Sequence, residues 1–318
     1  MDTSLIRVRY SDLRTLHDSR YFGACPEPGE VCIWKSDAPQ SLARVRSPSR
    51  YVLDPSKRRI FSAEWEGDLT CRDYANGKVI WRRRDLPGIQ KLALSSAFPD
   101  SVFVLSGTTD KPYKYPRVKL GAIEIQAASG KSRWMMERAD NLYVHPTKPL
   151  ILLVDRGDFR ISLHDRNKVE VASIPMTNFA VLDAAFTEDL IALAEGAEGV
   201  RVIDWEGNAV SHYAPSDRQP NCLAIAFDQG KVCVYDSWDK TFVSIFDPHS
   251  GLRIKEYERK CHGRICFIDD GSRFVDQLGQ ISITSTGELD GVIEAGAPTE
   301  TRQGWMQRLA GRMNLSRL

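Results

Sequence analysis

Short apolar runs of strand-forming residues recur along most of this chain, each bounded by polar and turn-forming residues. In one unit they read Tyr51-Val52-Leu53, Ile60-Phe61-Ser62-Ala63, Leu69-Thr70-Cys71-Arg72 and Val79-Ile80-Trp81. Runs this short, rich in β-branched and aromatic residues and cut by Gly, Asp, Asn and Pro, predict strands joined by tight turns. The 3.6-residue spacing of an amphipathic helix is nearly absent before residue 299.

Two kinds of turn alternate between the runs. One contains Gly, Asn or Asp and lies at 37, 77, 130, 167, 207, 251 and 287, intervals of 40, 53, 37, 40, 44 and 36 residues. The other is a short polar turn near 18, 55, 99, 146, 188, 229 and 270. Each unit therefore reads strand, turn, strand, loop, strand, turn, strand. Four short antiparallel strands per ~40 residues is the repeat of a β-propeller. A twisted four-stranded sheet cannot bury both faces alone, whereas blades stacked in a ring do so and leave no long open edge. The expected fold is all-β, a seven-bladed propeller of four-stranded antiparallel blades over 1–297, followed by a short helical tail over 298–318. Ring closure stays open at this point: Leu5-Ile6-Arg7-Val8-Arg9-Tyr10 reads either as the first strand of blade one or as a strand latching the last blade.

Some units carry more specific motifs. Gly67-Asp68-Leu69-Thr70-Cys71-Arg72-Asp73-Tyr74 and Gly157-Asp158-Phe159-Arg160-Ile161-Ser162-Leu163-His164-Asp165 place Gly-Asp before an alternating strand, and Gly77-Lys78-Val79-Ile80-Trp81 and Gly130-Lys131-Ser132-Arg133-Trp134 share Gly-Lys-x-x-Trp. In these segments the chain resembles the WD-repeat and quinoprotein-like propeller superfamily. The resemblance implies the propeller architecture. The vicinal cysteine pair of quinone-dependent alcohol dehydrogenases is absent, so it implies no cofactor.

Charge and cysteines narrow the picture. Lys plus Arg number 43 against 42 for Asp plus Glu, a formal charge of +1. Phosphate recognition calls for a basic surplus, so no nucleic-acid partner is expected. No apolar stretch has the length of a membrane span or signal peptide. The seven cysteines form no C-x-x-C pair and sit mostly in apolar runs, which predicts reduced, buried thiols in a cytoplasmic protein. Cys261, His262 and Cys266 lack the ligand spacing of a structural zinc site, so no metal is expected. No nucleophile-elbow, Walker or dinucleotide motif is present.

The loops between second and third strands all project from one face, and there the sequence concentrates binding-type residues. Trp65, Trp238 and Asp239 lie in such loops. The longest, 107–117, carries Tyr113, Tyr115 and Arg117 and accounts for the single long repeat interval. Trp, Tyr and Arg dominate binding hot spots because they bury much area and still make hydrogen bonds. Arg82, Arg83, Arg84, Arg138, Arg259 and Lys260 in the blade connections add positive charge to the same face. The expected function is a non-catalytic protein-interaction module, in sharper form an inhibitor or immunity protein that plugs an effector enzyme. The competing reading is a lactonase- or lyase-type propeller enzyme using carboxylates at the central channel. In the tail, Trp305, Leu309 and Met313 recur at helical spacing, which fits a helix docked on the propeller's side or one that binds a partner or membrane.

Overall fold

The computed structural model describes residues 11–15, 20–27, 30–38, 41–46, 50–63, 68–86, 88–108, 119–176, 181–215, 219, 221–237, 241–259, 265–276 and 280–292. Among these the strands form seven four-stranded sheets, each antiparallel and ordered as in the sequence. The blades, numbered along the chain, span 11–46, 50–83, 89–136, 141–175, 183–213, 222–259 and 265–292. The only helical element among the described residues is the 3-10 turn Asp269–Gly271. The helix expected over 298–318, and with it the domain boundary at 297, lies outside the described residues. So do residues 1–10. The innermost strand of blade one is Ser11–Thr15, which pairs with the strand Tyr21–Glu27.

Strand alternation explains how each sheet buries two faces. In the strand Ile151–Asp155, Ile151 and Leu153 pack with Phe103, Leu105 and Leu142, while Leu152 and Val154 pack with Ile191 and Leu193 of blade five. In Ser101–Thr108, Val102 and Val104 face Phe61 and Leu69 of blade two, and Phe103 and Leu105 face blade four. Both faces need apolar residues, so the second and third strands read as unbroken apolar runs rather than as an alternation with polar residues.

The last blade meets the first in the same way. Cys266, Ile268, Val275 and Ile281 pack against Phe22, Ala24, Cys32 and Trp34. Trp34 stacks on Phe22 with centroids 5.6 Å apart, and Ser36 Oγ donates to Asp269 Oδ1 at 2.6 Å. Each of these two sheets is built from its own end of the described chain, so packing and hydrogen bonds join them without an exchanged strand.

The Gly-Lys-x-x-Trp motif is a latch between neighbours. Trp81, on the outer strand of blade two, donates its indole N–H to Ala127 O at 2.9 Å. Its ring lies over Gly130 in the turn of blade three, where an added Cβ would stand 3.0 Å from the indole. Gly130 also has φ +75°, so the position excludes a side chain twice over. Trp134 continues the pattern one blade on, tilted against His164 with centroids 6.4 Å apart.

Lys168 enters the junction of blades three and four from the opposite direction. Its ammonium lies 3.1 Å from Glu124 Oε2 and 4.4 Å from the centroid of Phe98, with Phe103 and Trp134 at 5.4 and 5.8 Å. Glu124 also accepts from Ser101 Oγ at 2.5 Å. The ammonium is partly buried, and it is paired and flanked by ring faces that favour a cation.

Candidate functional site

Consecutive antiparallel strands reverse direction. The loops between second and third strands therefore share one face with the blade-to-blade connections, and the remaining turns share the other. The six residues singled out from the sequence, Trp65, Tyr113, Tyr115, Arg117, Trp238 and Asp239, fall in the sequence between second and third strands and all lie outside the described residues. What is described of the face comes mainly from blades four and five.

In blade four the loop between second and third strands is a turn held by one carboxylate. Asp155 Oδ1 accepts from the backbone N–H of Gly157 at 2.8 Å and of Asp158 at 3.2 Å. The turn ends on Phe159, whose φ of 51° is left-handed and whose side chain is 44% exposed. A bulky residue at positive φ is a conformational outlier, and Asn or Gly would sit there at lower energy. Beside it, a groove of about 250 Å³ between blades three and four is floored by Met136, Leu153 and Ser162 and edged by Arg138, Asp158 and Arg160. Arg138 and Asp158 stand 3.6 Å apart across its rim.

In blade five the corresponding loop is pinned from below. Glu195, only 2% exposed, pairs with Arg201 at 2.7 Å, and Arg201 also donates to Pro175 O at 2.9 Å. Leu182, 39% exposed, lies against Gly196 of this loop.

The basic residues of this face are largely held by neighbours. Arg82 pairs with Asp68, and Arg83 donates to Asp85 at 2.9 Å and to Ser132 Oγ at 2.7 Å. Arg84 is exposed. Lys260 lies outside the described residues. Pairing of this kind fixes side chains more than it creates a field.

The innermost strands carry a polar belt that sequence reasoning missed. Arg50 Nε donates to Gln90 O at 2.7 Å, Lys91 Nζ to Asn141 Oδ1 at 3.1 Å, and Asn141 Nδ2 to Val181 O at 3.0 Å. Asp183 Oδ2 accepts from the N–H of Ile225 at 3.1 Å. Each bond reaches one blade forward, onto backbone or side chain of the next innermost strand or the residues just before it. Burial pushes the Asp183 carboxyl up to about 6, against the pull of Lys91 and of the N–H groups of Ile225 and Ala184. Burial, then the charge of Asp183, holds the Tyr143 hydroxyl well above its ordinary value. Arg50, Asn141 and Asp183 each open the innermost strand of their blade, so an alignment of the repeats would have marked them.

No known family profile describes the chain, and no curated protein matches it. Among solved structures it is similar to the β-propeller domain of Cps50 (Swd1) from Myceliophteria thermophila, with a TM-score of 0.66 at 10% identity over 88% of this chain and 95% of that one. It is also similar to Hsv2 from Kluyvelomyces marxianus, with a TM-score of 0.68 at 13% identity over 86% of this chain and 91% of that one. The architecture is that of a β-propeller. At such identities the likeness concerns the fold. Among the described residues, Cys32, Cys71, Cys222, Cys233 and Cys266 are buried, and burial pushes the thiols of Cys71 and Cys233 up to about 12. At that level they stay protonated and inert. Cys261 and His262 lie outside the described residues. Among those described, no group of His, Cys, Asp and Glu is placed to hold a metal ion, and no helix is long and apolar enough to cross a membrane.

Proposed function

We propose that this propeller is a non-catalytic protein-interaction module, and that its partner sits on the face of the loops between second and third strands. Trp65, Tyr113, Tyr115, Arg117, Trp238 and Asp239 then form the contact together with Phe159, Leu182 and the Arg138–Asp158 rim. The observation that carries the reading is Phe159. An aromatic ring 44% exposed on a left-handed backbone lowers stability and adds little to the core, which is the pattern of a residue kept for contact. In its sharper form the partner is an effector enzyme whose active site the propeller plugs. Buried thiols suit a reducing compartment, and the reading places the module in the cytoplasm.

The test separates contact from stability. Phe159→Asn removes the ring while supplying a residue that tolerates the left-handed backbone, so thermal stability should hold or rise slightly. The wild-type chain, used as bait in its native cell extract, should recover a partner by mass spectrometry. Phe159→Asn and the double change Tyr113→Ala/Tyr115→Ala should each recover less of it. Equal recovery by all three proteins would remove this face from the proposal.

A further inference from the structure

On the opposite face, Arg20 and Tyr21 of blade one and the turns between first and second strands of blades two and three line a cleft of about 410 Å³, a size that admits small molecules and single side chains. Its wall includes Arg20, Tyr21, Asp54, Ser56, Ser96 and Phe98.

The hydrogen-bond directions decide what this wall offers. A serine hydroxyl has one proton to give and two lone pairs. Ser56 gives its proton to Asp54 Oδ1 at 2.6 Å and Ser96 gives its own to Pro146 O at 2.7 Å, so toward the cleft both act as acceptors. Asp54 is 9% exposed. Its Oδ1 takes the bonds from Ser56 and from the N–H of Lys57 at 3.2 Å, and its Oδ2 accepts none from any described residue. A buried carboxylate that lines a cleft, with one oxygen occupied and the other accepting no bond from a described residue, calls for a donor, and a charged donor most of all. Tyr21 and Phe98 add ring surface, which suits a carbon chain ending in a cation.

The nearby cations are already engaged. Lys57 Nζ bonds the carbonyl of Pro99 and reaches Asp100 Oδ1 at 3.0 Å. Arg20 is exposed and has interactions of its own.

We propose that this cleft binds an alkylammonium group, its N–H donors taken by Asp54 Oδ2 and the hydroxyl oxygens of Ser56 and Ser96, its carbon chain lying against Tyr21 and Phe98. A free polyamine and the lysine side chain of another polypeptide share this chemistry. The site stands on the face away from the proposed protein-contact loops, so its fate is independent of that reading.

Isothermal titration of the full chain tests it with spermidine, with a capped Gly-Lys-Gly peptide, and with a capped Gly-Glu-Gly peptide as control. Spermidine or the lysine peptide should bind saturably and the glutamate peptide should not. Saturation by spermidine alone assigns a free amine, and saturation by the lysine peptide assigns a polypeptide partner. Asp54→Asn keeps an oxygen for Ser56 and Lys57, so it should fold while binding at least tenfold more weakly. Arg20→Glu adds an anion at the lip and should strengthen binding. If neither amine binds at millimolar concentration, the proposal fails. It fails equally if a folded Asp54→Asn binds like the wild type, or if the glutamate peptide binds and Arg20→Glu abolishes it.

Discussion

Lys91, on the innermost strand of blade three, holds its ammonium nitrogen 3.3 Å from the ring centroid of Tyr143 on the innermost strand of blade four. The same ammonium donates to Asn141 and lowers the pKa of Asp183 on blade five, so one side chain couples three blades at the channel. Charge in this belt is partly desolvated, and its effects should show in the pH dependence of stability.

Asp183 gives the first expectation. Its carboxyl is raised from 3.8 to about 6, so between those values the folded chain binds the proton more tightly than the unfolded chain. Stability therefore falls as pH rises through that window. Asp183→Asn retains an acceptor for the N–H of Ile225 and removes the titration. Denaturant melts from about pH 4 to 6.5 should show the wild type losing on the order of 2 kcal/mol relative to the variant. Parallel pH curves would contradict it.

His145 works in the other direction. Its Nδ1 accepts from the N–H groups of Thr147 at 3.1 Å and Lys148 at 2.7 Å, and its ring lies 5.3 Å from both Phe186 and Trp205. Burial lowers its pKa from 6.5, so the unfolded chain takes up the proton first. Its contribution is complete above that pH and is lost as pH falls below it. In His145→Gln this acid-side slope should flatten, as read from melting temperatures compared with the wild type at about pH 5 and pH 7.5.

Lys168 and Glu124 form the third case. Lys168→Met keeps the carbon stem among Phe98, Phe103 and Trp134 but leaves Glu124 buried without its ammonium. The expected loss is about 3 kcal/mol in chemical denaturation, and adding Glu124→Gln should recover part of it. A double-variant loss equal to the sum of the losses in Lys168→Met and Glu124→Gln alone would show the pair to be uncoupled.

Gly130 and Gly77 offer a matched comparison. Their φ values are +75° and +72°, yet an added Cβ at Gly130 meets Trp81 at 3.0 Å and at Gly77 meets nothing within 4 Å. Gly77→Ala should cost about 1 kcal/mol, from backbone strain alone. Gly130→Ala should cost at least about 1 kcal/mol more, and Trp81 fluorescence should change with it. Equal melting temperatures in the two variants would show that the latch tolerates the methyl group.

The pattern of apolar runs carried the strands with little ambiguity. The runs read as Ile60–Ala63 and Leu69–Arg72 lie inside the strands Arg59–Ala63 and Leu69–Asp73, because turn residues and β-branched runs act locally. The innermost strand of blade one was placed too early in one reading of the sequence, at 5–10 rather than at Ser11–Thr15. Ser11-Asp12-Leu13-Arg14-Thr15 has a single aliphatic residue, so hydropathy gave it no weight. The belt escaped for a related reason. Arg50, Lys91, Asn141 and Asp183 look like loop residues until neighbouring blades bring a carbonyl, an amide or an N–H to each.

The repeat period, the order of turns and the need of every blade for two apolar faces are properties of the chain itself, since each depends on residues within about forty positions of one another. Which inner-strand polar groups bond across blades, and which hydroxyls are taken by the next blade, depend on groups forty or more residues apart, as with Arg50 and Gln90 or Ser96 and Pro146. Hydrogen-bond direction is set only when the ring closes and presents each side chain with its partner, so the chemistry of both faces belongs to the tertiary structure.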